Sequence, residues 1–174
     1  MSSQAVALLI SAISLTVAGT SLGWQIAQWL LSAGRPKAIL RHGVQGGGGA
    51  VTGPVGKDGK QFRIDRLRAQ GFNGPELIGV QITNHGRAPV TIESVSVAPR
   101  GGSARFVPQA QLMGPDLPHR IDAGTNASWY VDVEVGQLLV ETSRTALEER
   151  VTGVYMTATL GTGKEISTPT TLRI

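Results

Sequence analysis

At 174 residues and without a cysteine, the chain can build one domain with a substantial core and is no disulfide-stapled scaffold. Lys and Arg outnumber Asp and Glu by 16 to 12, while aromatic residues make up only 5%. Stacking platforms are therefore scarce, and the arginines (Arg63, Arg66, Arg68, Arg87, Arg100, Arg105) are scattered, which argues against a nucleic-acid partner.

From Met1 to Gly34 no side chain is charged; Arg35, Lys37 and Arg41 then follow within seven residues. Ala5 to Leu22 is continuously rich in Ala, Leu, Ile and Val, and as a helix it measures about 27 Å. The hydrocarbon core of a bilayer is about 30 Å thick, so the pattern predicts a transmembrane anchor over residues 1–34 and leaves 35–174 as one domain. Trp24, Gln25, Gln28 and Trp29 suit the headgroup boundary, and Trp24, Trp29, Arg35, Lys37 and Arg41 form the expected membrane-interface set. Pro36 disfavours helix at Arg35 and ends the segment. Two other readings compete. A cleaved signal peptide would want basic residues before the apolar run, where Ser2, Ser3 and Gln4 are neutral, and no clear A-x-A site follows. A helix buried against a protein partner is the second.

Counting Lys and Arg near the two ends of the span gives none before it and three after it. The positive-inside rule then places the C-terminal domain in the cytoplasm, as a single-pass protein of the cell membrane. Small residues (Ala12, Thr16, Gly19, Gly23, Ala27) line one face, and Gly19 to Gly23 is a G-x-x-x-G, which offers a face for homo-oligomerisation in lipid. Charge is uneven beyond the span: 35–110 holds eleven Lys/Arg against four Asp/Glu, and 111–174 holds five against eight. A basic half joined directly to a span is drawn to anionic headgroups.

Lys37 to Val44 reads as a first strand. Gln45 to Gly59, with four consecutive glycines at Gly46 to Gly49, reads as a mobile Gly-rich loop whose glycines hold nothing together. Phe62, Ile64 and Leu67 suggest an irregular second strand. Ile78, Val80 and Ile82 alternate with smaller or polar residues, Asn84 to Arg87 makes a turn, and Val90 and Ile92 resume. The apolar phase slips at Glu93-Ser94 before Val95 and Val97, as at a β-bulge. Trp129, Val131, Val133 and Val135 alternate next, with Asp132 and Glu134 on the solvated face. A short helix within Gly136 to Arg150 follows, then a strand through Val154, Met156, Ala158 and Leu160 that returns through Ile166. About seven strands with frequent turn signals predict a mainly β fold, an antiparallel sandwich with one short helix.

Val80-Gln81-Ile82-Thr83-Asn84-His85-Gly86 followed by Pro89-Val90-Thr91-Ile92 resembles the strand-turn-strand of bacterial immunoglobulin-like, adhesion-related modules. The whole layout, one N-terminal span, an Arg-Pro junction and such a sandwich, resembles small uncharacterised membrane proteins of actinobacteria and their phages. The resemblance implies an immunoglobulin-like fold and carries no activity across. The chain departs from that pattern in lacking a Cys pair and in the flanks of Trp129.

Little chemistry is written in the motifs. The spacing before Gly56-Lys57 puts Val51 where a phosphate-binding loop needs glycine, and Asp58 replaces its hydroxyl; Gly163-Lys164 fails likewise, with Ala158 and Glu165 in the required places. His42, His85 and His119 are isolated from one another and lack metal-like spacing. Gly101 to Arg105 lacks the last glycine of a nucleophile elbow. Asn126-Ala127-Ser128 matches a glycosylation sequon, which carries no meaning in a cytoplasmic domain. No cofactor, metal or catalytic residue is indicated. The leading expectation is a non-enzymatic, membrane-tethered interaction module with a protein partner the sequence does not name. The alternatives are an exported envelope or surface adhesion-type domain and, in a different class, a hydrolase or transferase with dispersed active residues.

Overall fold

A computed structural model describes residues 3–59, 63–110 and 112–174, with the backbone alone at 29–31. Helix α1 (Ser3–Ser32) is followed by strands β1 (Pro36–Gly46) and β2 (Gly49–Pro54), helix α2 (Ile64–Ala69), and strands β3 (Glu76–Asn84) and β4 (Val90–Pro99). Then come β5 (His119–Ile121), β6 (Asn126–Asp132), helix α3 (Val133–Thr145), β7 (Val154–Leu160) and β8 (Glu165–Ser167). Two antiparallel four-stranded sheets result, ordered β2-β1-β3-β6 and β5-β4-β7-β8.

Strand periodicity turns one face of each sheet inward. Leu40, Val80 and Trp129 lie abreast in the first sheet, with Val80 paired to both of the others. Ile92, Val95, Val97, Met156 and Ala158 line the second, and all are buried in one shared core. The register of β4 on β7 shifts between Ile92 and Ser94, so the expected bulge is present. It keeps Ile92 and Val95 on the same face although they are an odd number of residues apart.

Several elements differ from the sequence reading. The glycine run is the tip of a hairpin and not an open loop: Gly46 pairs with Gly49, and Gly47 and Gly48 take φ of 60° and 82°. Two consecutive left-handed residues fit a type I′ turn, whose twist matches the strands it joins. Gly48→Val should accordingly lower stability by about 1–2 kcal/mol, and Gly48→Asn should be close to neutral, as read by thermal unfolding. The irregular strand expected from Phe62 to Leu67 is helix α2 where described; Phe62 itself lies outside the described residues. The strand carrying Trp129 stops at Asp132, because its side chain accepts from the Glu134 amide at 3.1 Å and caps α3. Val133 therefore starts a helix, and Val133, Gly136, Val140 and Ser143 form its buried face. Asp132 ends β6 on its outer face and also caps α3, whereas Glu134 is a first-turn acid of the helix and not part of a strand. The domain thus has two helices where one was expected.

Candidate functional site

Within the apolar stretch Ser3–Gln28 of α1 the most apolar 18-residue window carries a mean hydropathy of 2.0, and none of that window is buried in the protein. This helix is long and apolar enough to cross a membrane, and it does not serve the core of its own domain. Its two threonine hydroxyls are satisfied internally: Thr16 Oγ1 donates to the Ala12 carbonyl at 2.8 Å, and Thr20 Oγ1 to those of Thr16 and Val17 at 3.0 Å. Gly19 and Gly23 have open space around them, and Trp24 is exposed. The Trp29 side chain lies outside the described residues.

Three residues, Ala33 to Arg35, connect α1 to β1, and they dock against the corner between β3 and β4. That corner joins the two sheets and is no hairpin, since β3 and β4 belong to different sheets. At its centre Asn84 is fully buried. Its Oδ1 accepts from the amides of Arg35 (3.1 Å) and Gly86 (3.0 Å), and its Nδ2 donates to the carbonyls of Ala88 (2.8 Å) and Ile121 (3.3 Å). The His85 amide adds a bond to the Arg35 carbonyl at 3.0 Å. Glycine is needed for this close approach. A Cβ on Gly86 would collide with Ala33 and Arg35 and stand 2.7 Å from Gly34 Cα; one on Gly34 would collide with Val90. The helix end is thereby fixed to the domain by backbone packing.

Beside this junction opens a cleft of about 680 Å³. One wall is Ala33 to Pro36; the others are Pro89 with Val90 and Thr91 of β4, and Leu160, Gly161, Thr162 and Lys164 around the β7–β8 turn. Arg35 and Lys164 bring positive charge to it, and among the described residues no carboxylate lines it. Glu165, next in sequence, is engaged elsewhere: its oxygens accept from Arg105 at 2.6 and 3.0 Å. The Arg105 guanidinium holds the Glu165 carboxyl below the usual carboxylate range, partly opposed by burial. Because the folded value is lowered, this pair supports the fold above the ordinary carboxylate range and loses that contribution as pH falls through it. Both side chains are more than a third exposed, so solvent screening keeps the effect small.

Of the expected interface residues, Arg35 lines this cleft and Lys37 is exposed on β1 close to it. Arg41 lies five residues beyond Pro36, roughly 17 Å along the strand. Its guanidinium donates to Thr52 Oγ1 (3.1 Å), the Thr52 carbonyl (2.9 Å) and Gln81 Oε1 (2.9 Å), which ties it to the outer face of the first sheet. The histidines stay apart. His42 is buried with Nε2 at 2.6 Å from Glu76 Oε1, His85 sits on the exposed corner, and the His119 ring packs edge-on to Trp129 at 5.8 Å. Among the described residues no three His, Asp or Glu side chains gather into a metal-binding group.

Sequence reading missed Asn84, Gly86 and Lys164 as parts of one place. Asn84-His85-Gly86 carries turn chemistry that concealed a buried amide, and Lys164 stood out only in the failed phosphate-loop spacing. Comparison with known proteins adds no constraint: no family model matches the chain, and no curated protein matches it.

Proposed function

We propose that this protein is a single-pass, membrane-tethered interaction module whose β domain faces the cytoplasm and acts by binding a protein partner. The observation that carries the reading is α1, an apolar helix whose most apolar window is left unburied and whose C-terminal end is fixed to a folded domain. With 30 residues it measures about 45 Å, the thickness of a bilayer with its headgroup layers. The three-to-zero Lys/Arg count across the span supports the cytoplasmic side. The distribution of histidines over separate elements supports binding over catalysis. An immunoglobulin-like assignment is supported by topology: with β2 set aside, β1-β3-β6 and β5-β4-β7-β8 follow the A-B-E and C′-C-F-G orders of such sandwiches. Trp129 stands on β6 and not on β4, the strand that corresponds to the usual tryptophan position. Homo-oligomerisation through Gly19 and Gly23 belongs to the same proposal, since the face is open and free of bulky atoms.

Alkaline carbonate extraction of membranes tests the tether: the protein should stay in the pellet and require detergent. Leu15→Arg should impair insertion by roughly 2.5–3.5 kcal/mol and shift protein to the soluble fraction. Recovery of the unsubstituted protein in the carbonate supernatant would overturn the tether.

A further inference from the structure

We propose that the cleft between the Ala33–Pro36 junction, β4 and the β7–β8 turn takes the phosphate-bearing headgroup of an anionic glycerophospholipid from the leaflet at the C-terminal end of α1. The proposal rests on the tether reading and goes beyond it by assigning a ligand to one place on the domain. Position comes first. The cleft's own wall begins one residue after α1 ends, and α1 matches the bilayer together with its headgroup layers, so the cleft opens at the outer edge of the headgroup layer.

Chemistry comes second. Arg35 and Lys164 approach from different elements, 129 positions apart in sequence, and the hydroxyl-bearing Thr91 and Thr162 stand with them. Among the described residues no acidic side chain lines the cleft, and the nearest in sequence, Glu165, is held by Arg105. A phosphate diester meets guanidinium and ammonium there, the pairing that these cations favour. The remaining wall distinguishes a lipid from free phosphate. Pro89, Val90, Leu160 and Ile166 give it an apolar side, which inorganic phosphate would leave unused and the carbons of a lipid headgroup would cover. A rigid junction keeps the cleft at this level, because Asn84 and Gly86 fix Ala33 to Arg35 against the corner.

The test uses the full chain in nanodiscs of equimolar phosphatidylcholine and phosphatidylglycerol, with native mass spectrometry of the lipids retained on release. The unsubstituted protein should retain phosphatidylglycerol in preference to phosphatidylcholine. Lys164→Gln and Arg35→Gln should each reduce that preference by about fivefold, the effect of one basic residue at a membrane surface. Arg35→Gln keeps the backbone amide that Asn84 holds. Lys57→Gln, on an exposed turn that does not line this cleft, should change nothing. Equal preference in all four proteins would overturn the lipid site alone. Displacement of the retained lipid by millimolar inorganic phosphate would assign the cleft to a free anion and overturn the lipid source. Failure of the unsubstituted chain to enter nanodiscs would overturn the tether reading, and this proposal with it.

Discussion

Trp129→Ala should destabilise the domain by about 3–5 kcal/mol, the loss expected when a large buried ring is deleted. Trp129 is completely buried on β6, opposite Val80, and its Nε1 donates to the Pro115 carbonyl at 2.8 Å. Its removal therefore opens a cavity between the sheets and leaves a carbonyl without its donor. The segment that follows Leu112 depends on the same ring: Leu112 and Leu117 pack on the core, and Met113 exchanges backbone bonds with Tyr130 at 2.8 and 2.9 Å. For a domain of this size the melting temperature should fall by roughly 10 °C or more. Trp129→Phe restores most of the volume without the N–H, so it should cost about 1–2 kcal/mol. Thermal unfolding of the full chain in detergent reads both. Equal melting of Trp129→Ala and the parent would remove Trp129 from the centre of the core.

Asn84→Ala should be the most damaging change at the junction. It leaves two buried groups, the Gly86 amide and the Ile121 carbonyl, without the bonds Asn84 supplies, and releases the Arg35 amide as well. At about 1–3 kcal/mol for each buried group left unpaired, the loss approaches that of the tryptophan. Asn84→Asp should not restore stability, because a carboxylate accepts from Arg35 and Gly86 but cannot donate to Ala88 and Ile121. Hydrogen exchange at the Arg35 and Gly86 amides should quicken in both variants while amides of the β4–β7 pairing change less. Unchanged exchange at Arg35 would mean that α1 is not fixed to the domain through Asn84.

The parts of the fold that were legible in sequence are those where alternation meets a buried face. Ile78, Val80 and Ile82 announce β3, and the slip at Glu93-Ser94 announces a bulge because the apolar set has to return to one side. The end of α1 was legible from Pro36 and the sudden charge. What was hidden falls into two physical kinds. At Val131-Val133-Val135 the period-two pattern imitates a strand across a helix start, and the decisive signal is Asp132, a capping residue just before Val133. At Gly46 to Gly49 there are no side chains to alternate, so a turn with two left-handed residues looks the same as a flexible linker. The candidate site was hidden for a different reason. Asn84 and Arg35 are 49 positions apart, and Lys164 lies farther still, so only the packing of the two sheets brings them to one place.

The proposed cytoplasmic side of a tethered domain is open to a direct test. The chain has no cysteine, so Gly49→Cys supplies a unique thiol at an exposed position with open space around it and no requirement for positive φ. Intact cells are treated with a membrane-impermeant thiol reagent, and a second sample is treated after lysis. A cytoplasmic domain predicts no labelling before lysis and full labelling after it. Labelling in intact cells would contradict the cytoplasmic placement and favour an exported, adhesion-type domain.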